Sequence, residues 1–205
     1  MNTGIIILAA GESTRMGEPK QLLPFRGTTL LQHAIDTARS VPRAPIVVVL
    51  GASAERIRGE LNEPFILIEE NPDWPEGMGS SIRTGLSAMM ASHPKISSAI
   101  FLLCDQPLVS ATTLTDIIAA HERTKRAIVA SEYGGALGVP ALFARSVFPE
   151  LLALDGADGA RRIIHAHRAE ALGIHFDDGA IDLDTPEDYT RLNTLLQERL
   201  ARIPA

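Results

Sequence analysis

Short β-rich runs alternate with amphipathic segments along most of this 205-residue chain, and that rhythm constrains its fold more than any other feature. Ile5 to Leu8, Ile46 to Leu50, Phe65 to Ile68, Ala99 to Leu103 and Ala127 to Ala130 read as strands. Between them, apolar residues recur at helical spacing: Leu30, Leu31, Ala34, Ile35 and Ala38, then Ile82, Leu86 and Met89, then Leu114, Ile117, Ile118 and His121. The alternation predicts an α/β three-layer sandwich with a Rossmann-like, mostly parallel sheet. The second half is less regular, with Gly138 to Phe143 and Ile181 to Leu183 as candidate strands and Leu195 to Leu200 within a closing helix. With no repeat or linker in view, the expectation is a single domain over residues 1–205.

Ligands of such sheets sit beyond the carboxyl ends of the strands, so the loops there are the places to look for chemistry. The first strand breaks directly into Ala9-Ala10-Gly11-Glu12-Ser13-Thr14-Arg15-Met16-Gly17-Glu18-Pro19-Lys20. Small residues let ligand atoms approach the main chain, whose N–H groups can then face an anion. Arg15 adds a forked donor and Lys20 a mobile point charge, a pair suited to a triphosphate. The plain alternative is a glycine-rich turn with two solvated cations. Neither G-x-x-x-x-G-K-[ST] nor G-x-G-x-x-G follows the first strand, which argues against a P-loop NTPase and a standard dinucleotide binder.

Three further loops carry unusual residues. Asp105, in Cys104-Asp105-Gln106-Pro107-Leu108, stands at a strand's end ahead of a stiffening proline and is the leading candidate ligand for a hard divalent cation. An aspartate there also commonly forms a turn or caps a helix, although Ser110 is the better cap for the helix that follows. In Asp182-Leu183-Asp184-Thr185-Pro186-Glu187-Asp188-Tyr189, Thr185 reads as an N-cap, Pro186 as a first-turn residue and Asp188 as the capping-box acid. Asp184 is left over, either as a second cation ligand or as a charge favouring the helix's positive end. The glycine-rich stretch from Asn71 to Ile82 enters a helix, with Ser80 and Ser81 as donors for a base and ribose or, for Ser80, as a simple N-cap. Trp74 reads equally as a core anchor or a lid.

Charge and composition exclude other classes. A net charge of −6 with no basic run argues against binding nucleic acid, so a nucleotide handled here is a small molecule. No stretch approaches the ~20 apolar residues of a membrane span, and no charged leader precedes the first apolar run, giving the expectation of a cytoplasmic protein with no membrane contact. The single cysteine, Cys104, excludes an internal disulfide and any multi-cysteine metal site within one chain. The six histidines lack the i, i+4 spacing of helix-borne ligands.

The run Leu8-Ala9-Ala10-Gly11-Glu12-Ser13-Thr14-Arg15-Met16-Gly17-Glu18-Pro19-Lys20 resembles the signature L-A-[AG]-G-x-[SG]-x-R-M-G-x-x-K of the MobA-like nucleotidyltransferases. Leu103-Cys104-Asp105-Gln106-Pro107, Gly77-Met78-Gly79-Ser80-Ser81 and Asp182 to Asp188 are similar to further motifs of its molybdenum cofactor cytidylyltransferase branch. Methylerythritol phosphate cytidylyltransferases share the opening motif but match less well elsewhere.

The resemblance implies a sheet of the nucleotide-diphospho-sugar transferase type and a reaction in which CTP or GTP condenses with the terminal phosphate of a molybdopterin, releasing pyrophosphate. It implies Mg2+ on Asp105 and Asp184, catalysis by Arg15, Lys20 and Asp105, and nucleotide contacts from Leu8, Ala9, Ala10, Gly11, Asn71, Gly79, Ser80 and Ser81. Ala10, where guanylyltransferases of the family usually have a second glycine, tilts the choice toward CTP. Asp158-Gly159-Ala160-Arg161 resembles the family's Gly-Ala-Arg helix start, making Arg161 a candidate for the acceptor phosphate, with a solvated first-turn arginine as the alternative. A molybdenum hydroxylase apoenzyme or its chaperone would be the partner receiving the product. Val139 departs from the Gly-His-Pro turn of the molybdopterin enzymes, which leaves a sugar or alcohol phosphate open as acceptor. A noncatalytic cofactor carrier is the rival from another class.

Overall fold

The computed structural model describes residues 2–201; residue 1 and residues 202–205 of the expected domain span lie outside the described residues. Nine strands and seven helices follow in chain order: β1 Thr3–Ala9, β2 Pro24–Phe25, β3 Thr28–Thr29, α1 Leu30–Arg39, β4 Ile46–Leu50, α2 Ala54–Gly59, β5 Leu67–Glu70, α3 Met78–Ser92 and β6 Ser98–Leu103. Then come α4 Ala111–Thr124, β7 Ile128–Tyr133, β8 Ala136–Ala144, α5 Phe148–Leu152, α6 Ala160–Ala166, β9 Leu172–His175 and α7 Pro186–Ala201.

Seven strands form one sheet in the order β5-β4-β1-β6-β8-β7-β9, while β2 and β3 pair as a small antiparallel hairpin. All pairings in the large sheet are parallel except those of β8 with β6 and β7, so β8 alone runs against the rest. The Rossmann-like, mostly parallel arrangement expected from the sequence is present. From β1 the chain steps outward to β4 and β5, then returns to lay β6 along the other side of β1. The direction of winding therefore reverses between β1 and β6, and a crevice opens there at the strands' carboxyl ends.

Both faces of the sheet are covered, which is why β1 reads as an unbroken apolar run. Its Ile6 and Leu8 face a core shared with Ile82, Leu86 and Met89 of α3 and Ile163 and Ile164 of α6. Its Ile5, Ile7 and Ala9 face another, shared with Leu31 and Ile35 of α1, Ile57 of α2 and Leu114 and Ile117 of α4. A third, smaller cluster joins Leu23, Phe25 and Leu30 to Leu183 and to Leu192 of α7, with Met16 packed against it. This satellite core ties the segment after β9 to the opening loop.

The helix starts follow local chemistry. Ser110 accepts from the Thr113 N–H at 3.1 Å in a capping box on α4. Thr185 Oγ1 accepts from the Asp188 N–H at 3.2 Å, and Asp188 accepts from the Thr185 N–H at 3.0 Å at the head of α7.

Three local expectations are corrected. The strand expected at Phe65 to Ile68 begins at Leu67 and runs to Glu70, because pairing with β4 sets its register from Val47–Leu67 to Leu50–Glu70. Phe65 lies in the preceding turn and is 95 % exposed. Ile181 to Leu183 is no strand: the Leu183 N–H bonds to the Asp105 carbonyl at 3.1 Å, a single loop-to-loop contact without a ladder. Ser80 is no N-cap: α3 starts two residues earlier at Met78 with Gly77 as its cap, and the Ser80 hydroxyl donates back to the Gly77 carbonyl at 2.8 Å.

Candidate active site

The loops after β1 and β6 flank the crevice, and the segment before α7 closes over them. Lys20 occupies a 3-10 turn, Lys20–Leu22, and its ammonium donates to the Asp105 carboxylate, with Asp184 Oδ1 at 3.2 Å and the Leu183 carbonyl at 3.3 Å. Arg15 takes the other Asp184 oxygen at 2.8 Å. Four charged side chains from three distant parts of the sequence thus meet at one point. Lys20 and Asp105 are largely shielded there, at 14 % and 15 % side-chain exposure. Burial works against the Lys20 charge, but Asp105, joined by Asp184, outweighs it and holds the ammonium above the ordinary lysine range.

The loop's shape depends on a residue that sequence reasoning passed over. Gln21 is fully buried, and its Nε2 donates to the Ala9 carbonyl at 2.8 Å and the Gly11 carbonyl at 3.0 Å. Two carbonyls that would otherwise add negative potential near the cleft are turned onto this one amide. The Lys20 N–H is anchored on Ser13 Oγ at 3.1 Å, and Ser13 and Gly17 adopt left-handed backbone angles, φ 59° and φ 76°, at either side of the Thr14–Met16 turn. The local signal was the Gln beside Lys20, but only its burial distinguishes a brace from a surface residue. Gln21→Leu leaves both carbonyls unpartnered; the expected result is a nucleotide KM raised about tenfold or more, in line with the 1–3 kcal/mol of leaving buried groups unpaired. Steady-state kinetics with varied nucleotide checks it.

Two clefts adjoin at this point. One, of about 290 Å³, is lined by Ala9, Ala10, Gly11, Lys20, Trp74 and Asp105, together with Ser81 and Cys104. The second, of about 260 Å³, is lined by Gln106, Tyr133, Val139, Arg161 and Asp182. Leu8, Met78 and Leu103 line both and form their shared wall. Trp74 is half-buried against the core and faces the first cleft, so it acts as anchor and wall together.

Of the candidate nucleotide residues, Leu8, Ala9, Ala10, Gly11 and Ser81 line the first cleft. Asn71, Gly79 and Ser80 lie behind its wall. Asn71 Nδ2 donates to Ser80 Oγ at 2.8 Å and Ser81 Oγ at 3.0 Å, and all three side chains are buried. The Gly79 N–H is spent on the Gly156 carbonyl at 2.8 Å. Arg161 lines the second cleft, whereas Arg162 turns away to pair with Asp158.

Asp182 is the other residue the sequence did not single out. Burial, with Asp105 and Asp184 nearby, pushes its carboxyl up. Among the described residues no cluster of three or more His, Cys, Asp or Glu is arranged to hold a metal ion. Asp105 and Asp184 are nevertheless a fitting pair of oxygen donors for a hard cation that keeps waters and phosphate oxygens as its remaining ligands. Asp105 Oδ1 supports that fit, being buried with no hydrogen-bond partner.

Cys104 is 3 % exposed, and burial, reinforced by the Asp105 charge, pushes its thiol up to about 12. A neutral buried thiol is a poor nucleophile. Iodoacetamide at mildly alkaline pH is therefore expected to leave the folded protein unlabelled and to label it fully once unfolded, as read by intact mass.

Residues 5–171 match the MobA-like NTP transferase domain. Over 118 residues the chain is 39 % identical to nicotine blue oxidoreductase of Paenarthrobacter nicotinovorans, covering 57 % of this chain and 55 % of that protein. Over 194 residues it is 30 % identical to the purine catabolism protein PucB of Bacillus subtilis, covering 90 % and 92 %. The chain thus spans about half the length of the first of these relatives, and only 27 % of the bifunctional protein GlmU of Mycolicibacterium paratuberculosis, which it matches at 33 % identity over 62 % of its own length. Among solved structures, Rv0371c of Mycobacterium tuberculosis superposes with a TM-score of 0.82 at 32 % identity, covering 94 % of this chain and 97 % of that one. The same protein has been solved in complex with manganese. Among the described residues no helix is long and apolar enough to cross a membrane.

Proposed function

The chain belongs to the MobA-like NTP transferase family and carries that family's nucleotidyltransferase domain, and on that premise we propose that it transfers CMP from CTP to the terminal phosphate of a molybdopterin, releasing pyrophosphate. The observation that carries this reading is the pair of clefts meeting at a common wall, with Lys20 and Asp105 on one side and Arg161 on the other. Such a pair suits a reaction that joins two anionic substrates end to end. We read residues 1–205 as one domain serving both, acting in the cytoplasm, where nucleoside triphosphates are available.

The acceptor phosphate oxygen attacks the α-phosphorus in line, the α–β bond breaks, and its electron pair leaves with pyrophosphate. The acceptor is already anionic near neutral pH, so no general base is needed, and alignment with charge stabilisation supplies the catalysis. Lys20 and Arg15 hold the leaving pyrophosphate. Gln21 keeps the loop carbonyls turned away from it, and Arg161 orients the acceptor. A divalent cation, magnesium in this reading, would be held by Asp105 and Asp184 and would neutralise phosphate charge.

Ala10 bears on the choice of base. A side chain on Gly51 would meet the Ala10 Cβ at 2.8 Å and the Trp74 Cβ at 2.6 Å, so the Ala10 methyl fills space beside the tryptophan that lines the nucleotide cleft. Ala10→Gly should relax the preference for CTP over GTP by roughly tenfold, about what one or two methylene-sized contacts are worth. Competition between the two nucleotides measures it.

The test of the whole reading is pyrophosphate release with Mg2+ and CTP, GTP or ATP, each with and without molybdenum-loaded molybdopterin. Release that requires CTP and the pterin is the expected result. Release with a sugar or alcohol phosphate in its place would transfer the same chemistry to the acceptor that Val139 leaves open. Binding of nucleotide or pterin without release would favour the noncatalytic carrier, and redox turnover would move the chain toward the relative named as an oxidoreductase. With the expected result, a molybdenum hydroxylase apoenzyme or its chaperone is the partner to receive the product.

A further inference from the structure

The two carboxylates read as cation ligands already hold two cations that belong to the chain. Lys20 bridges Asp105 and Asp184, and Arg15 closes on the second oxygen of Asp184. Among these four side chains two unit negative charges therefore face two unit positive charges, with the Asp182 carboxyl close by. Of the four carboxylate oxygens, Asp105 Oδ1 alone lacks a partner. We propose that Lys20 is an internal placeholder for the divalent cation, holding Asp105 and Asp184 together in the nucleotide-free protein and keeping a free metal ion out until a nucleotide triphosphate draws its ammonium away. This rests on the functional reading above and specifies the order in which the site is filled.

The physical argument is one of competition. A divalent ion seeking both aspartates must separate the ammonium from the shielded Asp105 and from the more exposed Asp184. If it entered without doing so, its two charges would add to the Lys20 ammonium held against Asp105, the shielded end of the group, where screening by solvent is weakest. A triphosphate removes the obstacle because its oxygens offer Lys20 and Arg15 new partners as the carboxylates are released. The exchange needs only side-chain motion. Lysine carries its charge on a flexible four-carbon stem, and the Lys20 main chain stays fixed through its N–H on Ser13 Oγ. Metal and nucleotide then favour each other's binding by the same factor, as linkage requires.

Mn2+ serves as the probe, its binding to the full-length protein followed by the loss of the free-ion electron paramagnetic resonance signal in the absence of nucleotide. Wild type is expected to bind weakly, Lys20→Met about tenfold more tightly or better, and Asp105→Asn more weakly than wild type. Trp74, the only tryptophan in the chain, lies in the nucleotide cleft and reports CTP binding by its emission. The factor by which Mn2+ improves CTP affinity should be smaller in Lys20→Met than in wild type. Lys20→Gln gives a second reading should the methionine variant not fold. Equal or weaker Mn2+ binding by the lysine variants, with Asp105→Asn still impaired, overturns the placeholder and leaves the functional reading standing. Mn2+ binding unchanged in Asp105→Asn, with and without CTP, removes Asp105 as a metal ligand and the placeholder with it.

Discussion

Asp105→Asn is expected to lower the rate of pyrophosphate release by about 10³-fold or more, equivalent to roughly 4 kcal/mol of transition-state stabilisation. The carboxylate sits at the end of β6, in the crevice where the winding of the sheet reverses, within reach of Lys20 and with one buried oxygen unpartnered. Asparagine keeps the shape and one acceptor oxygen, so Lys20 retains a partner there and keeps Asp184 as well. The fold should survive with only a modest change in melting temperature, while the site loses half of its proposed negative charge. Measuring kcat and nucleotide KM separately, beside a thermal unfolding curve, distinguishes a lost catalytic group from a lost structure. Turnover close to wild type in a folded Asp105→Asn protein would take this aspartate out of the mechanism.

Gly79→Ala should be a strongly damaging single-methyl change beside the site. A Cβ there would stand 2.0 Å from the Asp155 carbonyl oxygen and 2.9 Å from that of Asp158, both main-chain atoms that cannot rotate aside. The contact is tight because the Gly79 N–H bonds to the Gly156 carbonyl at 2.8 Å, while Gly77, at φ 117°, presses against the same residue. Arg83 ties the two loops again, bonding Glu76 on one and the Leu154 carbonyl on the other. The loop that carries Trp74, with Met78 at the start of α3, is thus locked to the loop that leads into Arg161. Overpacking of this kind costs about 1–3 kcal/mol and shifts backbone. Both clefts share Met78, so the variant should raise KM for nucleotide and acceptor together. Gly159→Ala, on the rim of the second cleft, is the control for stability and for nucleotide KM, since its Cβ would meet only Met78 Cγ at an ordinary 3.7 Å. Equal stability and equal nucleotide KM for the two variants would show that the interlock does not matter.

What could be read in advance follows the range of the forces involved. β1, β4 and β6 and helices α1, α3 and α4 were legible because covered parallel strands and amphipathic helices write their periods locally. The caps at Ser110 and Thr185 were legible because the interacting groups lie three residues apart. Phe65 misled because an aromatic beside isoleucines carries the composition of a strand, while the strand's limits are set by its pairing with β4. Ser80 misled because serine before a helix caps many helices, and Gly77 takes that place here. Gln21 and Asp182 stood beside quoted motif residues yet passed unnoticed, because burial, which separates a structural polar side chain from a surface one, is not written in the local sequence.

The sequence by itself determined the layered α/β architecture, the small-residue loop after β1 with its two cations, and the membership of a transferase family that this loop announces. Tertiary structure alone decided that Lys20 meets Asp105 and Asp184, which lie 85 and 164 positions away along the chain. It also decided that two clefts share one wall, and that Asn71 and Ser80 stand behind that wall rather than on it. The reason is physical. Backbone hydrogen bonding and hydrophobic periodicity act within a few residues and leave a pattern there, whereas the meeting of charges across the crevice depends on strand order, sheet twist and the docking of α7 on a satellite core.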